Sequence, residues 1–130
     1  MAADSLKIEL STPSQVKQGE PVPVTLRLTN ASDTTVTVYL QGRPTAFDIE
    51  VADESGRLIW QRLEGQVVAA ILAVRSLAPG ESLVFEDSWP QRDQAGRQVP
   101  SGTYAVTGVL PTDAEPIRSR PAELRILSRS

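Results

Sequence analysis

The sequence contains no cysteine and no histidine. Without cysteine there are no disulfide bonds, no thiol nucleophile and no thiolate metal ligand. Without histidine, Ser-His-Asp and Cys-His catalysis are excluded, and so are the usual imidazole ligands of zinc. Few enzymes of 130 residues lack both residues. We therefore expect a protein that is not an enzyme and that binds no metal and no other cofactor.

Long apolar runs and an excess of positive charge are missing as well. No apolar run approaches the roughly 18 residues that a membrane helix needs, and Met1 to Asp4 lack the basic and apolar parts of a signal peptide. The formal net charge of −3 argues against nucleic-acid binding. We expect a cytoplasmic monomer with no nucleic-acid or membrane partner. A signal sequence upstream of Met1 would instead indicate a secreted or envelope protein.

The chain is rich in apolar residues that alternate with polar ones. The alternation is clearest from Val22 to Leu28, and it recurs in short segments bounded by glycine, proline, asparagine or aspartate. Period-two alternation places every second side chain on the same face of a strand. With no convincing helix, the pattern predicts a single domain over residues 1–130, an all-β, antiparallel, immunoglobulin-like β-sandwich of about eight strands.

One segment, Val67 to Val74, is apolar without interruption. Its length, its β-branched residues and the turn residues that follow favour a strand that is buried on both faces or lies along an edge. A short buried helix is the alternative, because alanine and leucine also favour helices.

The stretch from Pro100 to Leu110 is the clearest signal of a turn followed by a strand. Pro100 fixes one backbone angle, and Gly102 can adopt a positive φ that a side chain would disfavour. The strand that follows begins with Tyr104, in the position of a tyrosine that ties down a corner of an immunoglobulin-type sandwich through its hydroxyl group. Pro100, Gly102 and Tyr104 are therefore predicted to be scaffold residues.

The aromatic residues and the carboxylates are the remaining candidates for a site. Trp60 and Trp89 could form a carbohydrate platform or a protein-binding anchor, but a sandwich with 5% aromatic residues needs them in its core. We expect four aromatic side chains to be mostly buried: Trp60, Phe85, Trp89 and Tyr104. Carboxylates are the only acid-base candidates in the sequence: Asp48 and Glu50 share one strand face, and Asp53 and Glu54 lie in the turn that follows. We expect the first two to lie on a solvated strand face, because nothing indicates a cleft.

An ordered set of landmarks resembles one known family. The set comprises Val16-x-x-Gly19-x-Pro21-Val22, Leu26-x-Leu28-x-Asn30-x-Ser32-Asp33, Phe47-Asp48-Ile49-x-Val51-x-Asp53-x-x-Gly56-x-x-Ile59-Trp60, Leu77-x-Pro79-Gly80-Glu81, Trp89, Gly96 and Pro100-x-Gly102-x-Tyr104. Over about residues 16–110 these residues resemble the bacterial intracellular proteinase inhibitor family, BsuPI type. The resemblance implies an immunoglobulin-like sandwich that inhibits a subtilisin-like serine protease. The alternative is a non-inhibitory sandwich module that binds another protein, for example at the cell envelope.

Inhibition of the substrate-like kind requires an exposed, extended loop that is held rigid. Without disulfides, flanking strands and prolines must hold it, and two segments satisfy this condition. The first runs from Pro90 to Pro100, and its candidate contact residues are Arg92, Asp93, Gly96, Arg97, Gln98 and Val99. The second runs from Pro111 to Pro121, with Ile117, Arg118 and Ser119 as candidates. We favour the first segment.

Overall fold

The computed structural model describes residues 6–42, 45–68 and 70–129, which contain no helix and hence none that could span a membrane. The described residues form eleven strands: β1 (Leu6–Ser11), β2 (Gln15–Lys17), β3 (Val22–Asn30), β4 (Val36–Gln41), β5 (Asp48–Ala52), β6 (Leu58–Gln61), β7 (Leu72–Leu77), β8 (Ser82–Trp89), β9 (Gly102–Leu110), β10 (Ile117–Arg118) and β11 (Ala122–Leu127). The sequence did not predict β2 and β10, which have 3 and 2 residues. Segments this short are too brief to show alternation.

The strands form two packed sheets and a separate ribbon. One sheet has the order β1-β3-β8, and the other has the order β2-β11-β9-β5-β6, with β10 paired to the end of β9. All of these pairs are antiparallel except β2 with β11. The strands β4 and β7 pair with each other as an antiparallel ribbon. This arrangement confirms the predicted all-β sandwich.

The core lies between the sheets and is built from the alternating positions. In β3, every second residue from Val22 to Asn30 is buried, as the sequence pattern predicts. Gly108 on β9 faces this core, and a β-carbon there would clash with Leu26 and lie 3.2 Å from Leu10 Cδ1. The absence of a side chain at this position therefore lets the two sheets approach closely.

The prediction of a strand from Val67 to Val74 is wrong in its start, and of its two forms the strand along an edge is the one observed, because β7 pairs with β4 in a two-stranded ribbon. The strand β7 begins at Leu72, and Val67 lies before it with 98% of its surface exposed. Leu72 and Val74 point away from the core because the strand buries only one face. An uninterrupted apolar run does not specify how many faces are covered, and here tertiary packing covers one.

The aromatic prediction is confirmed. Trp89 and Tyr104 are 0% and 5% exposed, and Trp60 and Phe85 are less completely buried but pack against the core. Trp60 lies on β6, the outer strand of its sheet, so one side of its ring has no covering strand. It still packs on Trp89, with 6.1 Å between ring centroids.

Candidate functional site

A tyrosine corner holds the chain where the first candidate segment ends. The hydroxyl group of Tyr104 donates a hydrogen bond to the carbonyl oxygen of Pro100 at 2.5 Å. Gly102, between them, has φ of +152°, a conformation that L side chains rarely adopt. The ring of Tyr104 packs edge-on against Trp89, with centroids 5.9 Å apart. The predicted scaffold residues therefore anchor both ends of the segment from Trp89 to Pro100.

The first candidate segment is a closed hairpin, here called the 91–99 hairpin, and not the extended loop that the sequence predicted. An isolated β-bridge joins Arg92 to Gln98. At the tip, the backbone N–H of Asp93 donates to the carbonyl of Arg97, and the N–H of Gly96 donates to the carbonyl of Asp93, both at 2.9 Å. Gly96 has φ of +83°. An aspartate followed three residues later by glycine is typical of such a turn, so the sequence does contain a signal for the closed tip.

Side chains reinforce the tip of this hairpin. The carboxylate of Asp93 accepts hydrogen bonds from the backbone N–H groups of Ala95 at 3.0 Å and Arg97 at 2.9 Å. The bond from the Arg97 N–H favours the charged carboxylate and lowers the pKa of Asp93 below its ordinary value. Arg92 Nη1 donates to the carbonyl of Gly96 at 3.0 Å. The turn is therefore held by both backbone and side chains.

The hairpin separates exposed from buried candidate residues. Arg92, Asp93, Gly96, Arg97 and Gln98 are brought together, and the side chain of Arg97 is 81% exposed. Val99 is only 3% exposed and packs in the core. The side chain of Val99 is thus an anchor of the hairpin and does not lie on its outer surface.

Gln91 forms the base of the hairpin, a role that the sequence did not predict. Its side chain is 0% exposed although it is polar. Its Nε2 donates to the carbonyls of Lys17 at 2.8 Å and Glu20 at 2.6 Å. Its Oε1 accepts from the Gly19 N–H at 3.2 Å and from Gln98 Nε2 at 3.0 Å. No local sequence signal marks it, because its partners are up to 74 positions away.

A second turn of the same construction lies beside the hairpin. Residues 53–57 have the sequence Asp-Glu-Ser-Gly-Arg, which resembles the Asp-Gln-Ala-Gly-Arg of residues 93–97. In both turns the aspartate carboxylate accepts hydrogen bonds from the backbone N–H groups of the third and fifth residues of the turn. Gln94 joins the two hairpins: its N–H donates to the carbonyl of Ile59 at 3.0 Å, and its Oε1 accepts from the N–H of Gln61 at 2.9 Å. The end of the molecule thus presents two braced turns side by side.

The three candidate residues of the second segment lie against the end of β9. Ile117 and Arg118 form β10 and pair with the end of β9. Ser119 is 7% exposed, and its hydroxyl accepts a hydrogen bond from the Gly108 N–H at 2.8 Å. Arg118 makes a bidentate ion pair with Glu50 at 2.9 and 3.2 Å, and this bond raises the pKa of Arg118 above its ordinary value.

The acid-base candidates do not form a catalytic pair. The prediction that Asp48 lies on a solvated face is wrong, because its residue is 9% exposed. Asp48 Oδ1 accepts hydrogen bonds from the N–H groups of Ile49 at 2.9 Å and Leu63 at 3.0 Å. Burial raises the pKa of Asp48, and these two hydrogen bonds oppose the rise. Its neighbour Glu50 is engaged with Arg118, so both carboxylates have structural partners.

The packed sheets and the tied tyrosine define the class of protein, an immunoglobulin-like β-sandwich. Solved structures with this fold include an alkylpurine DNA glycosylase from Pseudomonas fluorescens (TM-score 0.53, 18% identity, 95% of this chain and 30% of that one). The CARDB domain of a Pyrococcus furiosus protein, solved with di-metal ions, is also similar (TM-score 0.51, 14% identity, 95% of this chain and 94% of that one). At these identities the likeness shows the fold alone. This chain corresponds to less than a third of the glycosylase and to nearly the whole CARDB domain.

The comparison of the sequence with protein-family models identifies the family. The family model described as BsuPI, intracellular proteinase inhibitor, matches residues 9–115 of the chain. The protein therefore belongs to the BsuPI family of intracellular proteinase inhibitors. No match was found among curated proteins.

Proposed function

We propose that the protein inhibits a subtilisin-like serine protease by holding the 91–99 hairpin against the active site. The observation that supports this proposal is the braced tip, in a chain that belongs to a proteinase inhibitor family. Arg92, Asp93, Gly96, Arg97 and Gln98 are the proposed contacts, and the buried Val99 anchors them. We propose that the protein acts as a monomer in the cytoplasm.

The closed turn explains how such a hairpin can bind without being cut. A protease cleaves a peptide that it holds extended, and the hydrogen bonds between Asp93 and Arg97 keep this tip bent. Opening the tip costs the free energy of those bonds, while a rigid tip loses little conformational freedom on binding. Both effects favour inhibition over hydrolysis. They also replace the disulfides that a chain without cysteine cannot form.

The test is a titration of a subtilisin-like protease with the purified protein, read with a chromogenic peptide substrate. We expect inhibition at micromolar concentration or below, with little cleavage of the inhibitor. Arg97→Ala should weaken inhibition about tenfold or more, as removal of a central contact does. The matched control is Arg57→Ala, because Arg57 ends the neighbouring turn of the same construction.

Two results would contradict this proposal. The first is an absence of inhibition together with scattered cuts along the chain, which would exclude inhibition of that protease. The second is equal weakening by Arg97→Ala and Arg57→Ala, which would remove the 91–99 hairpin as the specific contact. Equal weakening by Arg118→Ala would instead point to the second segment.

A second candidate function is binding of another protein without inhibition, in the cytoplasm or at the cell envelope. It is favoured by the outer face of the β4–β7 ribbon, where Tyr39, Leu72 and Val74 are 44%, 48% and 59% exposed. Contiguous apolar surface of this kind is common at protein interfaces. If the protein binds the protease in the same titration, leaves its activity intact and loses this binding on Val74→Lys, the result would support this function over inhibition.

A further inference from the structure

Gln91 combines two features that are rare in one residue. Its polar side chain is fully buried, and its backbone has φ of +60° although it is not glycine. Residues held in such a conformation cost free energy and persist only when the surroundings enforce them. Here the surroundings are the turn from Lys17 to Glu20, on the far side of the hairpin from its tip.

We propose that Gln91 is the positioning residue that makes the 91–99 hairpin resistant to cleavage, and that the turn from Lys17 to Glu20 is the support it uses. This inference rests on the proposed function of the hairpin. Gln91 itself touches no protease. It acts through the two arms of the hairpin, which it joins to each other and to the body of the sandwich.

The carboxamide is the chemical group that fits this position. Both of its N–H groups meet carbonyl oxygens, those of Lys17 and Glu20, while its oxygen accepts two hydrogen bonds. Glutamate has the same shape, but an ionised carboxylate would face the two carbonyl oxygens with no proton to donate. Alanine would leave the two carbonyls and the Gly19 N–H without these partners.

The arms of the hairpin depend on this group. The backbone N–H of Val99 donates to the carbonyl of Gln91 at 2.9 Å, and Gln98 reaches the Gln91 side chain from the same arm. Gln18 Nε2 donates to the carbonyl of Val99 at 3.2 Å, which adds a second link to the supporting turn. Cleavage within residues 92–98 requires this arm to open locally. Removal of the Gln91 contacts should therefore convert an inhibitor into a substrate.

The experiment compares the parent with Gln91→Glu, Gln91→Ala and Gln18→Ala, with Gln66→Ala as the control at an exposed glutamine. Papain, a protease of an unrelated class, reports cleavage within residues 92–98 by mass spectrometry. Hydrogen exchange at the Arg97 and Val99 amides reports how often the hairpin opens locally. Titration of the subtilisin-like protease with each variant then gives the inhibition constant, and repeated readings show whether inhibition is lost with time.

We expect Gln91→Glu and Gln91→Ala to be cut within residues 92–98 about tenfold faster or more, with faster exchange at the Val99 amide. Inhibition should begin and then decay as the hairpin is cut, which a merely structural role would not produce. Gln18→Ala removes a half-buried partner that lies outside the hydrophobic core, so it should show the same local effects more weakly at an unchanged unfolding midpoint. It keeps the test valid if a Gln91 variant fails to fold.

The results separate the two proposals. If the parent does not inhibit but the variants open and are cut within residues 92–98, the proposed function fails and the positioning role of Gln91 stands. The opposite result is a parent that inhibits, with Gln18→Ala and every folded Gln91 variant equal to Gln66→Ala in hydrogen exchange, in cleavage and in the decay of inhibition. In that case the positioning role is overturned and the function stands.

Discussion

Trp89 is the largest fully buried side chain among the described residues. Its ring contacts those of Trp60 and Tyr104, and its Nε1 donates to the carbonyl of Arg92 at 3.0 Å. It therefore joins the core to Arg92 in the first arm of the 91–99 hairpin. The sequence indicated Trp89 as a core residue because aromatic residues are scarce, but the bond to Arg92 depends on the turn that follows.

Trp89→Ala should lower the free energy of unfolding by about 3–5 kcal/mol, because it removes buried apolar surface and leaves a cavity. Thermal unfolding followed by circular dichroism measures this loss. Val84→Ala is a useful comparison, since Val84 lies on the same strand and is 43% exposed. A Trp89→Ala variant that melts within about 2 °C of the parent would contradict the assignment.

The buried carboxylate of Asp48 gives a prediction for pH. Its pKa is raised, chiefly by burial, so the folded protein holds this proton more tightly than the unfolded chain does. Its contribution to stability is therefore fully present below the ordinary pKa of 3.8 and is lost as the pH rises through the raised value. Asp48→Asn keeps an oxygen for the N–H groups of Ile49 and Leu63 without acquiring a charge.

We expect Asp48→Asn to gain stability relative to the parent as the pH rises from below that window to neutral. Denaturant unfolding of both proteins at several pH values measures the difference. A difference that stays constant with pH would show that burial does not control this group. Asp87→Asn should behave in the opposite sense, because the Arg62 ion pair and hydrogen bonds lower the pKa of Asp87 despite its desolvation.

The strand β9 shows how a turn and a strand depend on one glycine. Gly102 is its first residue, with φ of +152°, and a β-carbon there would lie 3.6 Å from Glu54 Oε1. The space is sufficient, so the requirement for glycine comes from the backbone and not from crowding. The sequence predicted this conformation from the spacing of Pro100 and Tyr104, and the structure confirms it.

Gly102→Val should destabilise the protein by about 1–3 kcal/mol, because a β-branched residue must adopt a backbone conformation that it disfavours. Ser76→Val, at an exposed position of β7, is the control and should change stability by less than about 0.5 kcal/mol. Chemical denaturation gives both values. Equal effects of the two changes would mean that the corner at Gly102 tolerates a side chain.

The packing of one sheet on the other depends on Gly108. A β-carbon there would clash with Leu26 on the facing sheet, and the buried Leu26 has little room to move. Gly108→Ala should therefore cost about 1–3 kcal/mol through overpacking. Thr107→Ala, the neighbouring residue on the opposite face, is the control. A Gly108→Ala variant as stable as the parent would show that the sheets can separate without loss.

The family match covers most of the molecule and agrees with the ordered landmarks seen in the sequence. Those landmarks are turn and core residues, so they determine the scaffold more strongly than any contact surface. The fold was therefore predictable: alternation from Val22 to Leu28 determines which face is buried, and proline and glycine determine where strands end. The Tyr104 corner was predictable for the same reason, because its parts lie within five positions of one another.

The features of the candidate site were decided by contacts between distant parts of the chain. The Gln91 side chain reaches residues 71 to 74 positions away, and Gln94 links its hairpin to the strand at Ile59. Burial of Asp48 and exposure of Val67 likewise depend on which neighbours cover them. Local patterns determine the faces and ends of strands. Only the assembled sandwich determines which loops are closed, braced and exposed, because those properties arise from hydrogen bonds and packing across the sheets.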